Sequence, residues 1–248
     1  MKKNIYIFIV TFLIFNKILK AENVVDLKAF NYEEALVSDL GEPLLLWATH
    51  YNLPELKDGT GDFPLRDVKG NELGPKFSLN EWCKIALEGS ARITFLSGEV
   101  KTYNYDGISD LFSIDCSTFF LFNVSNSKFH LAKGDFGDGV GRYKLTPFRT
   151  IATDPLIIPF GSVIYIPQAR GTIIKTKYDE QIIHDGYFFA GDTGGVIKLN
   201  HIDVFIGTQK KSPFFSWIKH NNLSSFQAYI VKDQSIIKSL SDMHLRSR

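Results

Sequence analysis

Three aspartates in apolar surroundings are the residues of this chain best suited to carry chemistry. Asp154 stands just before the apolar run Ile157-Ile158-Pro159, Asp192 precedes a glycine pair, and Asp203 has β-branched aliphatic residues on both sides. Burying a carboxylate is costly unless a partner compensates for the lost hydration. The pattern therefore predicts either hydrogen-bonded structural carboxylates or groups that transfer protons.

Asp203 has the best context for a general acid. An acid that works near neutral pH must retain its proton, so its pKa must be raised by desolvation or by a nearby carboxylate. Ile202 and Val204 provide the apolar surroundings, and Asp192 lies eleven residues earlier. We therefore predict that Asp203 is the catalytic acid. A structural carboxylate bonded to backbone amides remains the alternative.

The other two aspartates fit turns. Asp192 comes before Gly194 and Gly195, where a carboxylate can cap backbone N–H groups. We also predict Asp192 to be the second catalytic residue, because its charge would disfavour ionisation of Asp203. Asp154 and the two glycines are expected to support the site structurally.

Strands are the main elements predicted to hold these residues. The apolar run Leu44–Tyr51 reads as a buried strand, and turn residues dominate the following twenty or so positions. A capping box at Ser78–Glu81 begins a helix that Gly89 ends. Further strands are expected at Ala91–Val100 and Thr118–Val124.

The C-terminal half has a different pattern. From residue 143 onward, short β-branched runs alternate with turn residues, and Phe226–Val231 is the last of these runs. Such spacing predicts a small all-β barrel. The tail from Asp233 is polar and is expected to be loosely ordered.

The N-terminus has the three parts of an export signal. Lys2 and Lys3 form a basic start, residues 5–15 are apolar, and Ala21 ends a cleavage site. A membrane-spanning helix needs about 20 apolar residues, so we predict a cleavable signal at 1–21 and a periplasmic or secreted protein. A retained anchor stays open, and the absence of a cysteine near the cut argues against lipid attachment.

Composition excludes some classes of protein. The 248 residues are 44% hydrophobic, enough for one or two packed domains, and the formal net charge is +1. Removal of the predicted signal leaves a slightly acidic chain without a basic stripe, which argues against a nucleic-acid partner. Cys83 and Cys116 can form one disulfide in an exported chain, or remain two buried thiols. They are too few for a metal site, and the histidines lack ligand spacing.

Four segments together resemble a known family. Ala48–Tyr51 is similar to an Ala-Thr-x-Tyr strand, and Ala152–Gly161 to Ala-x-Asp-x-x-x-Ile-Pro-x-Gly. Asp192–Lys198 is similar to Asp-x-Gly-Gly-x-Ile-Lys-Gly, and Asp203 occupies the place of a third aspartate. The family is the 3D domain, named for three aspartates, which also forms the catalytic part of MltA-type lytic transglycosylases. Leu199 departs from the pattern, which has glycine there; we expect it to alter the following turn without contacting a carboxylate.

The resemblance implies a mainly β fold with a double-psi β-barrel. In this organisation residues 22–52 contain the first barrel strand, 144–232 form the rest of the barrel, and 233–248 are a polar tail. Residues 53–143 are an inserted α+β segment, a second domain that forms one side of a substrate groove.

The resemblance also implies a function. The protein would be a peptidoglycan lytic transglycosylase that cleaves the MurNAc-GlcNAc β-1,4 bond, forms 1,6-anhydroMurNAc and requires no metal or organic cofactor. Asp203 falls on the catalytic aspartate of the family. Thr49, Tyr51 and Lys198 are the residues expected to bind the glycan strand.

Three alternatives remain open at this stage. One is a non-catalytic, expansin-like module that binds the cell wall. Another is a β-1,4-glycan hydrolase with a second carboxylate such as Glu55, Asp58 or Glu88. The third is an aspartic protease, although its Asp-Thr-Gly motif occurs once here, at Asp192, and that chemistry needs two.

Overall fold

The computed structural model describes residues 30–121, 123–176 and 180–246. The predicted export signal at 1–21 therefore lies outside the described residues. Within the described ranges, neither helix is long and apolar enough to cross a membrane. The strands are β1 (Leu40–Tyr51), β2 (Glu55–Lys57), β3 (Phe63–Arg66), β4 (Glu72–Phe77), β5 (Ser90–Thr94), β6 (Val100–Ile108), β7 (Ser127–Leu131), β8 (Thr150–Ala152), β9 (Val163–Tyr165), β10 (Ile173–Lys175), β11 (Gln181–Ile183), β12 (Tyr187–Asp192), β13 (His201–Phe205) and β14 (Phe226–Val231), and the helices are α1 (Leu79–Glu88) and α2 (Gln234–His244).

Six strands close into a barrel in the order β1-β13-β8-β12-β9-β14. The pairs β1–β13 and β8–β12 are parallel, while the other four are antiparallel. Alternate residues of each strand point inward, so that Leu46, Ala48, Ile202 and Val204 are fully or almost fully buried in the core. The predicted mainly β fold is confirmed, with a closed barrel of six strands.

A buried ion pair lies at one side of the barrel. Arg149 is fully buried and binds both oxygens of Asp185 at 2.6 Å. Its guanidinium group also lies 4.1 Å from the ring centroid of Phe30. The paired geometry satisfies the buried charges. His184 and Asp185, which the sequence places ahead of a strand, are thus part of the barrel's interior.

Between β1 and the rest of the barrel the chain builds a second group of elements. These are a four-stranded sheet in the order β2-β5-β6-β7, the hairpin β3–β4 and α1, around a core that includes Phe77, Trp82 and Phe129. The predicted helix start and end are confirmed, because Ser78 and Glu81 form a reciprocal capping box and Gly89 adopts a left-handed φ of 72°.

Three expectations about local structure are wrong. The turn-rich stretch after β1 contains the short strands β2, β3 and β4. Residues 118–120 form a turn whose amides at 119 and 120 donate to the Cys116 carbonyl, and the next strand is β7. The tail from Asp233 forms α2, because the Asp233 carboxylate caps the helix and Leu240 and His244 are buried.

Cys83 of α1 and Cys116 are joined by a disulfide, with Cα atoms 5.6 Å apart. Closing a loop of this length is expected to stabilise the fold by about 3–4 kcal/mol through the unfolded chain. We therefore predict that reductant lowers the melting temperature of the wild-type protein. A Cys83→Ala/Cys116→Ala variant should melt at the reduced wild-type temperature with or without reductant. An unchanged wild-type transition in reductant would show that the two thiols are not bonded in solution.

Candidate active site

The parallel pairing of β1 with β13 creates three matched pairs on one face. Trp47 stacks on His201 with ring centroids 3.6 Å apart, and the rings of Tyr51 and Phe205 lie 5.1 Å apart. Between these two pairs, Thr49 is in register with Asp203. The alternation of the strands places the intervening residues in the barrel core, so the polar face points away from it.

Asp203 is partly exposed and interacts directly with Thr49. The Thr49 Oγ1 atom lies 2.6 Å from Asp203 Oδ1. Desolvation raises the pKa of Asp203 to about 7, against the lowering effect of the Thr49 hydrogen bond, and the charges of Glu88 and Asp192 add to the increase. Near neutral pH a large fraction of this carboxyl group therefore carries its proton, as a general acid requires.

Asp192 approaches the same face from β12. The hydroxyl of Tyr51 donates to Asp192 Oδ2 at 2.6 Å, and burial raises the pKa of Asp192 to about 6 against hydrogen bonds from Tyr51 and the Thr193 backbone. Both Asp192 and Asp203 pair with Ala152 of β8, which runs between their strands. Two strand spacings separate their Cα atoms by about 10 Å.

Asp154 has the opposite electrostatic environment. Its carboxylate accepts hydrogen bonds from the backbone amides of Leu199 at 2.8 Å and Leu156 at 3.1 Å. These bonds, the Leu199 amide first, lower the pKa of Asp154. Asp154 thus stays ionised and ties the end of β8 to the loop that precedes β13.

The expectation that Leu199 would not contact a carboxylate is wrong. Its backbone amide makes the shorter of the two bonds to Asp154. Leu199 has φ +55°, a left-handed conformation that costs a residue with a Cβ about 1–2 kcal/mol and that glycine adopts freely. The turn therefore explains the glycine of the family pattern at this position.

The inserted segment reaches the site through the loop between β7 and β8. The Val140 amide donates to the Gly191 carbonyl at 2.9 Å, next to Asp192, and Asn104 of β6 binds the backbone of Asp138. Ser90, which follows α1, is in register with Asn104. This chain of contacts brings the end of α1 near the barrel face, where the charge of Glu88 acts on Asp203.

The predicted substrate-binding residues have different surroundings. The hydroxyl groups of Thr49 and Tyr51 are directed at Asp203 and Asp192. Lys198 is exposed, and its charge acts on Asp154. Of the two glycines, Gly194 packs so closely on Ile197 that a Cβ would lie 2.8 Å from its Cγ1, whereas a Cβ on Gly195 would meet open space.

Sequence reasoning underestimated three residues of the site. Trp47 and His201 form the stacked pair beside Asp203, and the charge of Glu88, at the end of α1, acts on Asp203. The two-residue spacing of His201 and Asp203 on one strand gave the only signal for this proximity. Among the described residues, no group of three or more His, Cys, Asp or Glu side chains could hold a metal ion.

Comparison with known proteins supports the resemblance seen in the motifs. Residues 149–216 match the 3D domain family. The fold is similar to that of E. coli MltA with bound chitohexaose (TM-score 0.53, 15% identity, covering 76% of this chain and 72% of that one). It is also similar to a membrane-bound lytic murein transglycosylase from Agrobacterium tumefaciens (TM-score 0.51, 14% identity, 76% and 75% covered). No curated protein sequence gives a significant match.

These comparisons confirm the predicted 3D domain and the MltA-like fold. The 3D match begins at the residue before β8 and covers β8 to β13, including all three aspartates. At these identities, the structural similarity describes the fold alone.

The strained turn at Leu199 gives a stability prediction. Leu199→Gly should raise the free energy of unfolding by roughly 0.5–1 kcal/mol, because relief of the left-handed strain exceeds the added entropy of the unfolded chain. Thermal and urea unfolding will measure the change. Leu156→Gly, at another exposed leucine whose φ is not positive, is the matched control and should destabilise. A loss of stability in both variants would show that the backbone of Leu199 is not strained.

The raised pKa of Asp203 gives a second prediction. A folded-state pKa of about 7, compared with about 3.9 in the unfolded chain, means that Asp203 stabilises the fold while protonated and that this contribution is lost as pH rises from about 4 through about 7. Asp203→Asn cannot ionise. Its melting temperature relative to wild type should therefore increase across that range and then level off. If the difference in melting temperature between Asp203→Asn and wild type is constant from pH 4 to 8, the pKa of Asp203 is not raised.

Proposed function

We propose that this protein is a peptidoglycan lytic transglycosylase that cleaves the MurNAc-GlcNAc β-1,4 bond and leaves 1,6-anhydroMurNAc. The observation that supports it best is Asp203, a partly exposed carboxyl group with its pKa raised to about 7. It stands at the third aspartate of a 3D domain. The similar fold of E. coli MltA with bound chitohexaose supports a glycan strand as the ligand.

One carboxyl group is sufficient for this reaction. Ordinary glycosidases use two, because a water or an enzyme nucleophile must be provided in addition to the acid. In the proposed reaction the C6 hydroxyl of N-acetylmuramic acid attacks the C1 atom of its own sugar. The intramolecular attack benefits from a high effective concentration of the nucleophile.

Asp203 acts twice in this sequence. As the acid, it donates its proton to the glycosidic oxygen while the bond to C1 breaks. As the resulting carboxylate, it accepts the C6 hydroxyl proton while that oxygen bonds to C1. The acid form is thereby restored at the end of each cycle, and no water is consumed.

The groups around Asp203 influence its ionisation and can bind the substrate. The charge of Asp192 disfavours ionisation of Asp203, and the Tyr51 hydroxyl holds Asp192 in place at 2.6 Å. Lys198 is exposed near Asp154 and is available to bind a carboxylate of the lactyl or peptide part of the substrate. Thr49 contributes through Asp203, as its 2.6 Å contact indicates.

The site of action follows from the substrate. Peptidoglycan lies outside the cytoplasm, and the signal-like residues 1–21 would export the chain to the periplasm or the medium. Glycan strands are the proposed partner.

A glycan hydrolase is the second candidate function, and it is favoured by the effect of Glu88 on Asp203. Of the three acidic residues considered in the inserted segment, Glu88 is the one whose charge acts on Asp203. Glu55 lies 4.0 Å from Arg92, and Asp58 accepts the Lys76 amide. In a hydrolase, Glu88 would activate a water opposite Asp203.

The products distinguish these functions. Purified peptidoglycan is incubated with the wild type and with Asp203→Asn, Glu88→Gln and Asp242→Asn, and the released fragments are analysed by mass spectrometry. Wild type should release muropeptides lighter by one water than hydrolysed ones. Asp203→Asn should lose at least about 100-fold in rate, the range for removal of a general acid, while Asp242→Asn, at an exposed position of α2, serves as the matched control.

Other outcomes would assign a different function. Products with the full water mass, together with a comparable loss in Glu88→Gln, would identify a hydrolase. A folded wild-type protein that binds peptidoglycan and releases nothing would identify a non-catalytic wall-binding module.

A further inference from the structure

His201 is a buried imidazole that the proposed reaction leaves unexplained. Only 8% of its surface is exposed, and its ring stacks on Trp47 at an interplanar angle of 6°. Its Nε2 atom lies 2.9 Å from Thr49 Oγ1, which in turn lies 2.6 Å from Asp203 Oδ1. His201, Thr49 and Asp203 thus form a continuous chain of hydrogen bonds that ends at the proposed acid.

The number of hydrogens in this chain is limited. Two contacts need two hydrogens, and the Thr49 hydroxyl has only one. The second must come from Asp203, if its carboxyl group is protonated, or from Nε2 of His201. An ionised Asp203 beside a bare Nε2 would leave one of the two short contacts without a hydrogen.

The charge state of His201 limits the hydrogens that the ring can supply. Burial lowers the pKa of His201, and the backbone of Val196 opposes this to a smaller extent. Near pH 7 the ring is therefore neutral and has one hydrogen for its two nitrogens. If that hydrogen is on Nδ1, the nitrogen that does not face Thr49, Nε2 is an acceptor.

We propose that His201 is a positioning residue that accepts the Thr49 hydrogen and so makes Asp203 the holder of the proton in the chain. In the alternative state the proton is on His201 instead of Asp203, and the atoms and the total charge are the same. The carboxyl O–H of Asp203 breaks as a new O–H forms at Thr49 Oγ1, while the former Thr49 hydrogen moves to Nε2. A carboxylate and an imidazolium result, with the same number of protons.

This hydrogen-bond arrangement favours the protonated form of Asp203. When Asp203 ionises, it must compete with His201 for the single Thr49 hydrogen, so His201 disfavours the carboxylate. Glu88 and Asp192 also face Asp203 and act in the same direction, while the Tyr51 hydroxyl is bound to Asp192. Trp47 covers one face of the imidazole. The inference rests on the proposed function for its catalytic meaning, whereas the proton arrangement itself is a property of the free protein.

NMR of the free protein tests this arrangement. In wild type at pH 7, the ¹⁵N shifts of His201 should identify Nδ1 as protonated and Nε2 as an acceptor. A hydrogen on Nε2 of the neutral ring would overturn the proposal. This measurement uses the unmodified protein and does not depend on the folding of a variant.

Two substitutions test the connection between His201 and Asp203, with the pKa of Asp203 followed by ¹³C NMR of its carboxyl group. His201→Phe keeps a ring against Trp47 but frees the Thr49 hydrogen for the carboxylate, which should lower the midpoint by about one pH unit, the effect of one hydrogen bond. Thr49→Val breaks the connection, so adding His201→Phe to this variant should leave its midpoint unchanged, while in a Thr49→Ser background the shift should return. His220→Asn, an exposed histidine in a left-handed turn that Asn tolerates, is the control.

A His201→Phe protein with the wild-type Asp203 midpoint would show that the ring only packs on Trp47, and would overturn the proposal. The titration needs no substrate. A protein that shows these shifts but releases no anhydro products would therefore contradict the proposed function and leave the proton arrangement standing. If the protein is active, the basic limb of the kcat/KM profile should move with the Asp203 midpoint in each variant.

Discussion

The parallel pairing of β1 with β13 is the constraint on which the site depends. It sets Thr49 beside Asp203, with an aromatic pair on either side. A shift of one residue in this register would turn Asp203 into the barrel core and bring Val204 to the polar face, because strand side chains alternate. The burial of Ala48, Ile202 and Val204 opposes that shift. The same apolar residues that close the barrel therefore fix the geometry of the acid.

The three aspartates show how one barrel can give a single residue type opposite properties. Asp154 faces two backbone amides and has a lowered pKa, whereas Asp192 and Asp203 lose hydration and have raised pKa values. Backbone amides compensate the charge of Asp154, whereas the hydrogen bonds to Asp192 and Asp203 do not offset their loss of hydration. Ionisation of Asp192 and Asp203 therefore costs stability, and the fold tolerates it because the surrounding structure holds both residues in place.

The sequence predicted the barrel well because its strands are short apolar runs bounded by turn residues. The aspartates were identifiable for the same reason, since charged residues within such runs are conspicuous. The roles of Thr49 and His201 were not predictable, because they depend on a pairing between strands about 150 residues apart. The helix α2 was missed because the segment is mostly polar and one of the two residues that it buries, Leu240 and His244, is a histidine. Likewise, the Thr118–Val124 run has strand-forming residues. It begins with a turn instead, because the backbone amides of residues 119 and 120 donate to the Cys116 carbonyl.

The position of β2–β7 and α1 between β1 and the other barrel strands has a consequence for how the protein folds. Strand β1 is made first, yet its partners β13 and β14 lie beyond the whole inserted segment. Contacts this distant in the chain form slowly, since a long loop must close before they are made. The inserted sheet and α1 have nearer partners and their own core, so they are suited to fold earlier and to shorten the loop that β1 must close. Asp203 therefore acquires its environment only when β13 pairs with β1 across this loop.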